Sequence, residues 1–318
     1  MLQRVRDRAI DLGYAAGWGV LTAVPEPVSA RWFRAAADAA TVRNGASVQQ
    51  LRKNLRRVVG PAVSELRMDQ LVGDAVRSYA RYWLETFRLP KMDHDDILAR
   101  TAAEGVEHLS EAIARGKGVV LALPHQGNWD VASLWLVAYG QRFTTVAERL
   151  KPESLFDRFV AYRESLGMEV LALTGGARPP SEVLAERLRA GRVICLLADR
   201  DLSRSGVEVR FFGEAARVPG GPALLAATTG AALLPVSLWF TPHGWGHRIN
   251  APIELPTGGR LRDRVVAATQ AMADVLAHDI AERPVDWHML HRLWLADLPS
   301  RPPRPVLDAT VSDAPVSR

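Results

Sequence analysis

The sequence predicts an α/β fold, with a mainly parallel or mixed central sheet flanked by helices and an N-terminal helical, membrane-associated region. Three observations predict it. Apolar runs at residues 118–123, 169–173, 193–198 and 233–240 alternate with helical stretches at 129–139, 153–166, 181–190 and 262–281, the order in which strands and covering helices follow one another in such sheets. Residues 29–115 are mostly helical in pattern. Residues 1–60 carry ten Arg and Lys against four acids, a net of +6 on a chain whose total is +5.

Taken in order, the basic start comes first. A basic region on a nearly neutral body fits an anionic surface. No nucleic-acid motif accompanies it, which leaves a membrane carrying anionic lipid. Residues 12–25 are uncharged and hold Tyr14, Trp18, Val20 and Leu21 behind Arg4, Arg6 and Arg8. The stretch is too short to span a bilayer, and Asp7, Asp11 and its glycines spoil a signal peptide. It reads as an interfacial helix, with packing on the protein's own core as the alternative. Leu51, Leu55 and Val59 form an apolar stripe beside Arg52, Lys53, Arg56 and Arg57, which could also lie on a charged surface. Leu66, Val72, Val76, Tyr79, Trp83 and Phe87 recur at helical spacing and are expected to face the core. Between Val218 and His247 the chain is uncharged, but Pro219, Pro222, Gly230 and Pro235 exclude a spanning helix. A loop, a short buried helix at 223–229, a turn at Gly230 and a buried strand at 233–240 replace it. From Pro299 the tail is proline-rich, without aliphatic periodicity, and expected disordered. The resulting division is a basic amphipathic membrane-facing region at 1–60, an α/β core at 61–298 and a tail at 299–318, with no internal repeat.

The chemistry gathers at strand ends. His125-Gln126-Gly127-Asn128-Trp129-Asp130 directly follows the apolar run 118–123. Open α/β sheets place ligands at such strand exits. Asn128 can cap the following helix, and Asp130 then sits in its first turn, where a negative charge is favoured. Its carboxylate can reach back to one imidazole nitrogen and leave the other free to take a proton. Asp199 ends a second apolar run, in Ala198-Asp199-Arg200-Asp201. Parallel neighbouring strands would bring it to the same rim, where it too could hold the imidazole. The single Cys195 cannot form an internal disulfide and reads as core filling in a reducing cytoplasm. No Gly-x-Ser-x-Gly elbow or nucleotide-binding glycine fingerprint is present. The pairs His243/His247 and His288/His291 lack the ligands that would complete a metal site, and the run 243–247 looks like a turn.

Further segments join these: Glu148-Arg149-Leu150-Lys151-Pro152 with Arg163, Phe211-Phe212-Gly213, Gly221-Pro222-Ala223-Leu224-Leu225-Ala226 with Thr229-Gly230-Ala231, and Glu282-Arg283-Pro284 with Trp287, His291, Arg292, Leu293 and Trp294. Together with the His-x4-Asp run, over roughly residues 60–297, the chain resembles the bacterial lauroyl/myristoyl acyltransferases of lipid A biosynthesis type. The run from Ala198 to Val207 is closest to the actinobacterial branch acting on phosphatidylinositol mannosides. The resemblance implies transfer of a fatty acyl chain, palmitoyl, from acyl-CoA to a mannose hydroxyl. It implies His125 as the motif base, Asp130 as the motif acid and Asp199 as the carboxylate paired with the histidine. It implies acyl-donor contacts at Arg163, Ser205, Thr228 and Thr229, and Glu148 joins them as a substrate-binding candidate. No metal or other cofactor is expected, acyl-CoA being a co-substrate. The expected place is peripheral, on the cytoplasmic face of the cell membrane. Transfer to another glycolipid or a lysophospholipid from acyl carrier protein, or a catalytically silent lipid-binding role, remain the alternatives.

Overall fold

The computed structural model describes residues 19, 21, 23–149, 153–201 and 206–298. A helical layer comes first. Helix α1 (Glu26–Arg43) ends at Asn44, whose left-handed backbone (φ 48°) turns the chain into α2 (Ala46–Val59). Ser64 caps α3 (Glu65–Arg88), accepting the Arg67 N–H at 3.3 Å. Val48, Leu51 and Leu55 of α2 are buried in one apolar cluster with Ala37 of α1 and Met68, Val72, Ala75 and Val76 of α3. This corrects the expectation that the α2 stripe serves an outside surface. Its three arginines are also spoken for: Arg52 pairs with Glu65 and Asp69, Arg56 with Glu65, and Arg57 with Glu214 and Asp297 while lying over the Trp294 ring. The greater part of the stretch 12–25, and the tail from residue 299, lie outside the described residues. Among the described residues no helix is long and apolar enough to cross a membrane.

After α4 (His94–Arg100), β1 (Thr101–Glu104) and α5 (Val106–Ala114), the chain builds the sheet. Strands β2 (Val119–Leu123), β3 (Phe143–Ala147), β4 (Glu169–Ala172), β5 (Val193–Leu197) and β8 (Ala232–Phe240) run parallel, and β9 (Trp245–Ile249) runs antiparallel to β8. The order is β1-β9-β8-β2-β5-β3-β4. Helices α6 (Trp129–Ala138), α7 (Glu153–Ser165), α8 (Pro180–Arg189), α9 (Gly221–Thr229) and α10 (Leu261–Glu282) make the crossovers and cover, and β6 (Val207–Phe211) with β7 (Glu214–Val218) forms a separate hairpin. The side chains of β2 and β5 alternate between two cores. Val119, Leu121, Leu123, Val193 and Cys195 face α5 and α6, whereas Val120, Ala122 and Ile194 face α8, α9 and α10. From β2 the chain leaves through α6 toward β3; from β5 it leaves through the hairpin and α9 toward β8, on the other side. Adjacent strands whose connections depart in opposite directions make a topological switch point, and the crevice outside their carboxyl ends is the natural ligand site of such a sheet.

The α/β core with a mostly parallel sheet is the architecture expected. Strands β1, β3 and β9 and the β6–β7 hairpin were not anticipated. In place of a turn over 243–247, the turn closes earlier, with Thr241 N–H donating to Gly244 O at 3.1 Å, and β9 begins at Trp245. Trp245, His247 and Ile249 alternate inward against α5 and α6, while Gly246 leaves room for the Trp239 ring, which a Cβ there would meet at 2.0 Å. The two glycines that suggest a turn thus serve close packing.

Candidate active site

Strand register builds the site. Leu123 of β2 lies opposite Leu197 of β5, so two residues further on His125 lies opposite Asp199. Asp199 Oδ1 is 2.6 Å from His125 Nδ1, while Oδ2 accepts the His125 backbone N–H and the Trp287 indole N–H, each at 2.9 Å. Burial by itself raises the Asp199 carboxyl, but the adjacent His125 ring and these donors hold it below the usual carboxylate range. An ionised Asp199 accepts a hydrogen bond from Nδ1–H and leaves Nε2 as the basic nitrogen. His125 Nε2 has no hydrogen bond among the described residues, and the side chain keeps 22% of its exposure. The Trp129 ring meets the imidazole edge-on at 5.5 Å. This is a base with an orienting carboxylate, opening on solvent from the switch-point crevice.

The loop that carries His125 is pinned on both sides. Gly127 has φ +56°, and a Cβ there would come within 2.9 Å of the Leu238 carbonyl carbon, so only glycine lets the loop lie against β8. On the other side the segment 286–288 runs antiparallel to it: Gly127 N–H donates to Asp286 O at 2.8 Å and His288 N–H to His125 O at 2.7 Å. Trp287, Asp286 and His288 are site residues that the strand-end logic passes over, because they arrive from 160 residues downstream. Their sequence signal is the Trp287 of the closing segment.

Asp130 sits elsewhere than the motif suggests. Asn128 caps α6 as expected, its Oδ1 accepting from Asp130 N and Val131 N at 3.1 Å. The Asp130 carboxylate does not reach back to His125. Oδ1 accepts from Arg163 Nε at 3.0 Å and Nη2 at 2.8 Å; Oδ2 accepts from the Tyr82 hydroxyl at 3.1 Å and more loosely from Thr86. Two residues past the cap the side chain projects toward α3 and α7, where a buried guanidinium is the stronger partner. The coulombic pull of Asp130 in turn raises the Arg163 pKa. Arg163 is therefore a partner of Asp130.

The other candidates divide. Glu148 directly follows β3, is exposed, and lies on the site's rim: its charge, with those of Arg200 and His125, acts on His291. Thr228 and Thr229 end α9, next to Ala232, whose N–H meets Gly118 O at the start of β2. They are at the opposite end of the strands from His125, and their hydroxyls are donated to the carbonyls of Leu224 and Leu225. Ser205 lies outside the described residues. Cys195 is a buried core residue whose thiol is pushed up by burial. Among the described residues no three His, Cys, Asp or Glu side chains converge as a metal site; His247 and His288 are buried, His243 and His291 exposed.

The two buried histidines give a stability prediction. Burial pushes His247 down to about 4 and His288 down to about 3. Unfolded, both titrate near 6.5, so below that pH the unfolded chain takes up protons that the fold refuses. Stability is then lost as pH falls from about 6.5 toward 4 and 3, by about 1.4 kcal/mol per pH unit for each group. Thermal unfolding between pH 7 and 4 is expected to show a falling Tm. His247→Leu should flatten that slope; an unchanged slope would remove His247 from the account.

Known proteins can now be set beside this geometry. The family model described as bacterial lipid A biosynthesis acyltransferase matches residues 3–296. A phosphatidylinositol mannoside acyltransferase of Mycolicibacterium smegmatis is 56% identical over 288 residues, covering 91% of this chain and 92% of that protein. One of Mycobacterium tuberculosis is 52% identical over 299 residues, covering 91% and 90%. A match over nearly the whole chain, with a His-x4-Asp motif at the head of the sheet crevice, leads to one conclusion: the chain belongs to the bacterial lipid A biosynthesis acyltransferase family and is an acyltransferase.

Proposed function

We propose that the protein transfers a fatty acyl chain, palmitoyl, from acyl-CoA to a mannose hydroxyl of a phosphatidylinositol mannoside, with His125 as general base. The observation that carries the reading is the bonded pair of His125 and Asp199 with Nε2 left open. A sugar hydroxyl is a poor nucleophile, and a thioester carbonyl is already activated, so one positioned base suffices. Nε2 takes the hydroxyl proton as the oxygen attacks the thioester carbon. The tetrahedral intermediate collapses, the C–S bond breaks, and the imidazolium returns its proton to the departing thiolate. Asp199 holds the imidazolium in the interval. The chemistry requires no metal and no covalent enzyme intermediate. The names of the mycobacterial relatives support the acceptor.

The test is to incubate the purified protein with palmitoyl-CoA and a panel holding phosphatidylinositol mannosides, other glycolipids and lysophospholipids, with an acyl carrier protein donor in parallel. Thiol release with an acylated mannoside is expected. Acylation of another acceptor, or only from the carrier protein, would replace the reading.

We further place the protein on the cytoplasmic face of the membrane, docked through α1. Val28, Trp32, Ala35, Ala39 and Val42 form an exposed stripe at helical spacing, bordered by Arg31 and Arg43, and Trp32 keeps 52% of its exposure. A basic group near anionic lipid is worth about 1 kcal/mol, screened by salt. Binding to anionic vesicles is expected to weaken with salt and with Arg31→Gln/Arg43→Gln, while turnover of a soluble acceptor stays unchanged. Equal, salt-insensitive binding to neutral vesicles would count against charge-driven docking.

A further inference from the structure

His288 lies beside the dyad with a hydrogen-bonding atom in reserve. Its side chain is 5% exposed, and its backbone N–H is fixed to the His125 carbonyl. The ring nitrogen Nε2 is 2.9 Å from Ser78 Oγ, and Ser78 Oγ is 2.8 Å from Asp286 Oδ1. A serine hydroxyl has one proton and gives it to the carboxylate, the stronger acceptor. Its lone pair then receives Nε2–H, and this chain fixes the tautomer: Nδ1 is an unprotonated acceptor. Nδ1 is buried and has no hydrogen-bond partner among the described residues. It is the ring nitrogen nearer its own backbone, whose N–H holds the His125 carbonyl. The Trp129 ring touches both imidazoles, at 5.5 Å for His125 and 6.3 Å for His288. Tyr79, Tyr82 and Phe240 enclose the rest of the His288 ring. Ser78 is no hydrolytic nucleophile here, since it stands between the acid and the histidine with its proton held by Asp286.

An acceptor atom left bare in a buried place costs free energy until a donor arrives, and such positions cluster where a ligand completes the bonding. Neither the thioester nor the acyl chain carries a donor at the reacting end; a sugar presents one on every free hydroxyl. We propose that His288 Nδ1 accepts a hydrogen bond from a hydroxyl of the acceptor sugar and so turns the ring that presents its neighbour to His125. This rests on the reading of the protein as a mannoside acyltransferase.

Two substitutions separate this from a purely structural role. Asparagine carries its amide oxygen where Nδ1 sits and abandons the bond to Ser78. Glutamine carries its amide group where Nε2 sits and abandons Nδ1. With phosphatidylinositol mannoside and palmitoyl-CoA as substrates, His288→Gln is expected to raise the KM for the mannoside roughly five- to tenfold, the value of one neutral hydrogen bond, with the KM for palmitoyl-CoA unchanged. His288→Asn should stay within about twofold of wild type in both. The reverse order, or a rise confined to the KM for palmitoyl-CoA, whose pantetheine amides are the competing donors, overturns the proposal. A measurement on the unaltered protein covers variants that fail to fold: the ¹⁵N signal of the unprotonated His288 nitrogen should move when a soluble mannoside saturates the site, and a signal that stays in place overturns it equally. If the wild-type protein acylates no mannoside, the reading of the substrate fails first; if it does and these signatures are absent, only the role of His288 fails.

Discussion

His125→Ala is expected to reduce acyl transfer roughly 10²- to 10⁴-fold, the usual contribution of a positioned general base, in a protein that still folds. The side chain is partly exposed and, among the described residues, makes a single side-chain hydrogen bond, to Asp199, so its removal opens no large core cavity. Far-UV circular dichroism and the unfolding midpoint should stay close to wild type while product formation falls. The same argument fixes the order of two variants at Asp199. Asp199→Asn keeps the shape but offers an amide N–H where an oxygen now receives Nδ1–H, or else loses a bond to Trp287 or to the loop N–H; it also removes the charge that holds the imidazolium. It is expected to approach the His125→Ala loss. Asp199→Glu keeps the charge and must only absorb one methylene, so it should retain more activity than the asparagine. A folded His125→Ala protein with near wild-type turnover would end the assignment. Asparagine outperforming glutamate would show that shape, not charge, is what Asp199 supplies.

The parts of this site differ in how far they could be read in advance. His125 and Asp199 were legible because each follows an apolar run, and a run of five or six β-branched and aliphatic residues soon after a glycine is a strong strand signal. Once β2 and β5 are neighbours, register does the rest. β3 escaped notice because Thr144 and Thr145 break its apolar pattern; one is buried with its hydroxyl on Glu169, and the other donates to the Cys195 carbonyl. β9 escaped because its glycines mimic a turn. Trp287 and His288 were illegible in position, since nothing in local pattern says that a segment after α10 will fold back on the His125 loop. The α2 stripe was read correctly as apolar but could not be assigned a partner: a helix with arginines beside leucines looks the same whether Glu65, Asp69 and Asp297 or an outside surface neutralises them. Thr228 and Thr229 illustrate the limit of carrying roles by sequence order, since α9 runs back along the sheet and delivers its end to the opposite end of the strands from His125.

Removing Asp130 is expected to cost stability first and activity only as a consequence. The carboxylate is buried and paired with Arg163, with Tyr82 and Thr86 on its other oxygen. Taking away one partner of a buried ion pair leaves the other charge uncompensated, at a cost of roughly 3–5 kcal/mol, a large share of the 5–15 kcal/mol or so by which a domain is stable. Asp130→Ala should therefore shift the denaturant midpoint strongly or prevent accumulation of folded protein. Tyr82, whose hydroxyl is buried against the same carboxylate, would lose its acceptor at the same time. Replacing both charges at once, Asp130→Leu with Arg163→Met, removes the uncompensated guanidinium and fills the space with apolar volume, so the double variant should recover much of the stability. Activity decides between two roles for the motif acid. If Asp130 oriented the imidazole, the double variant would be as inactive as the single one however well it folded. With Asp199 holding His125 and Asp130 holding Arg163, Tyr82 and Thr86, activity per folded molecule in the double variant is expected to return toward wild type, with an unshifted pH dependence. A stable double variant whose turnover stays down by two orders of magnitude would restore Asp130 to the chemistry.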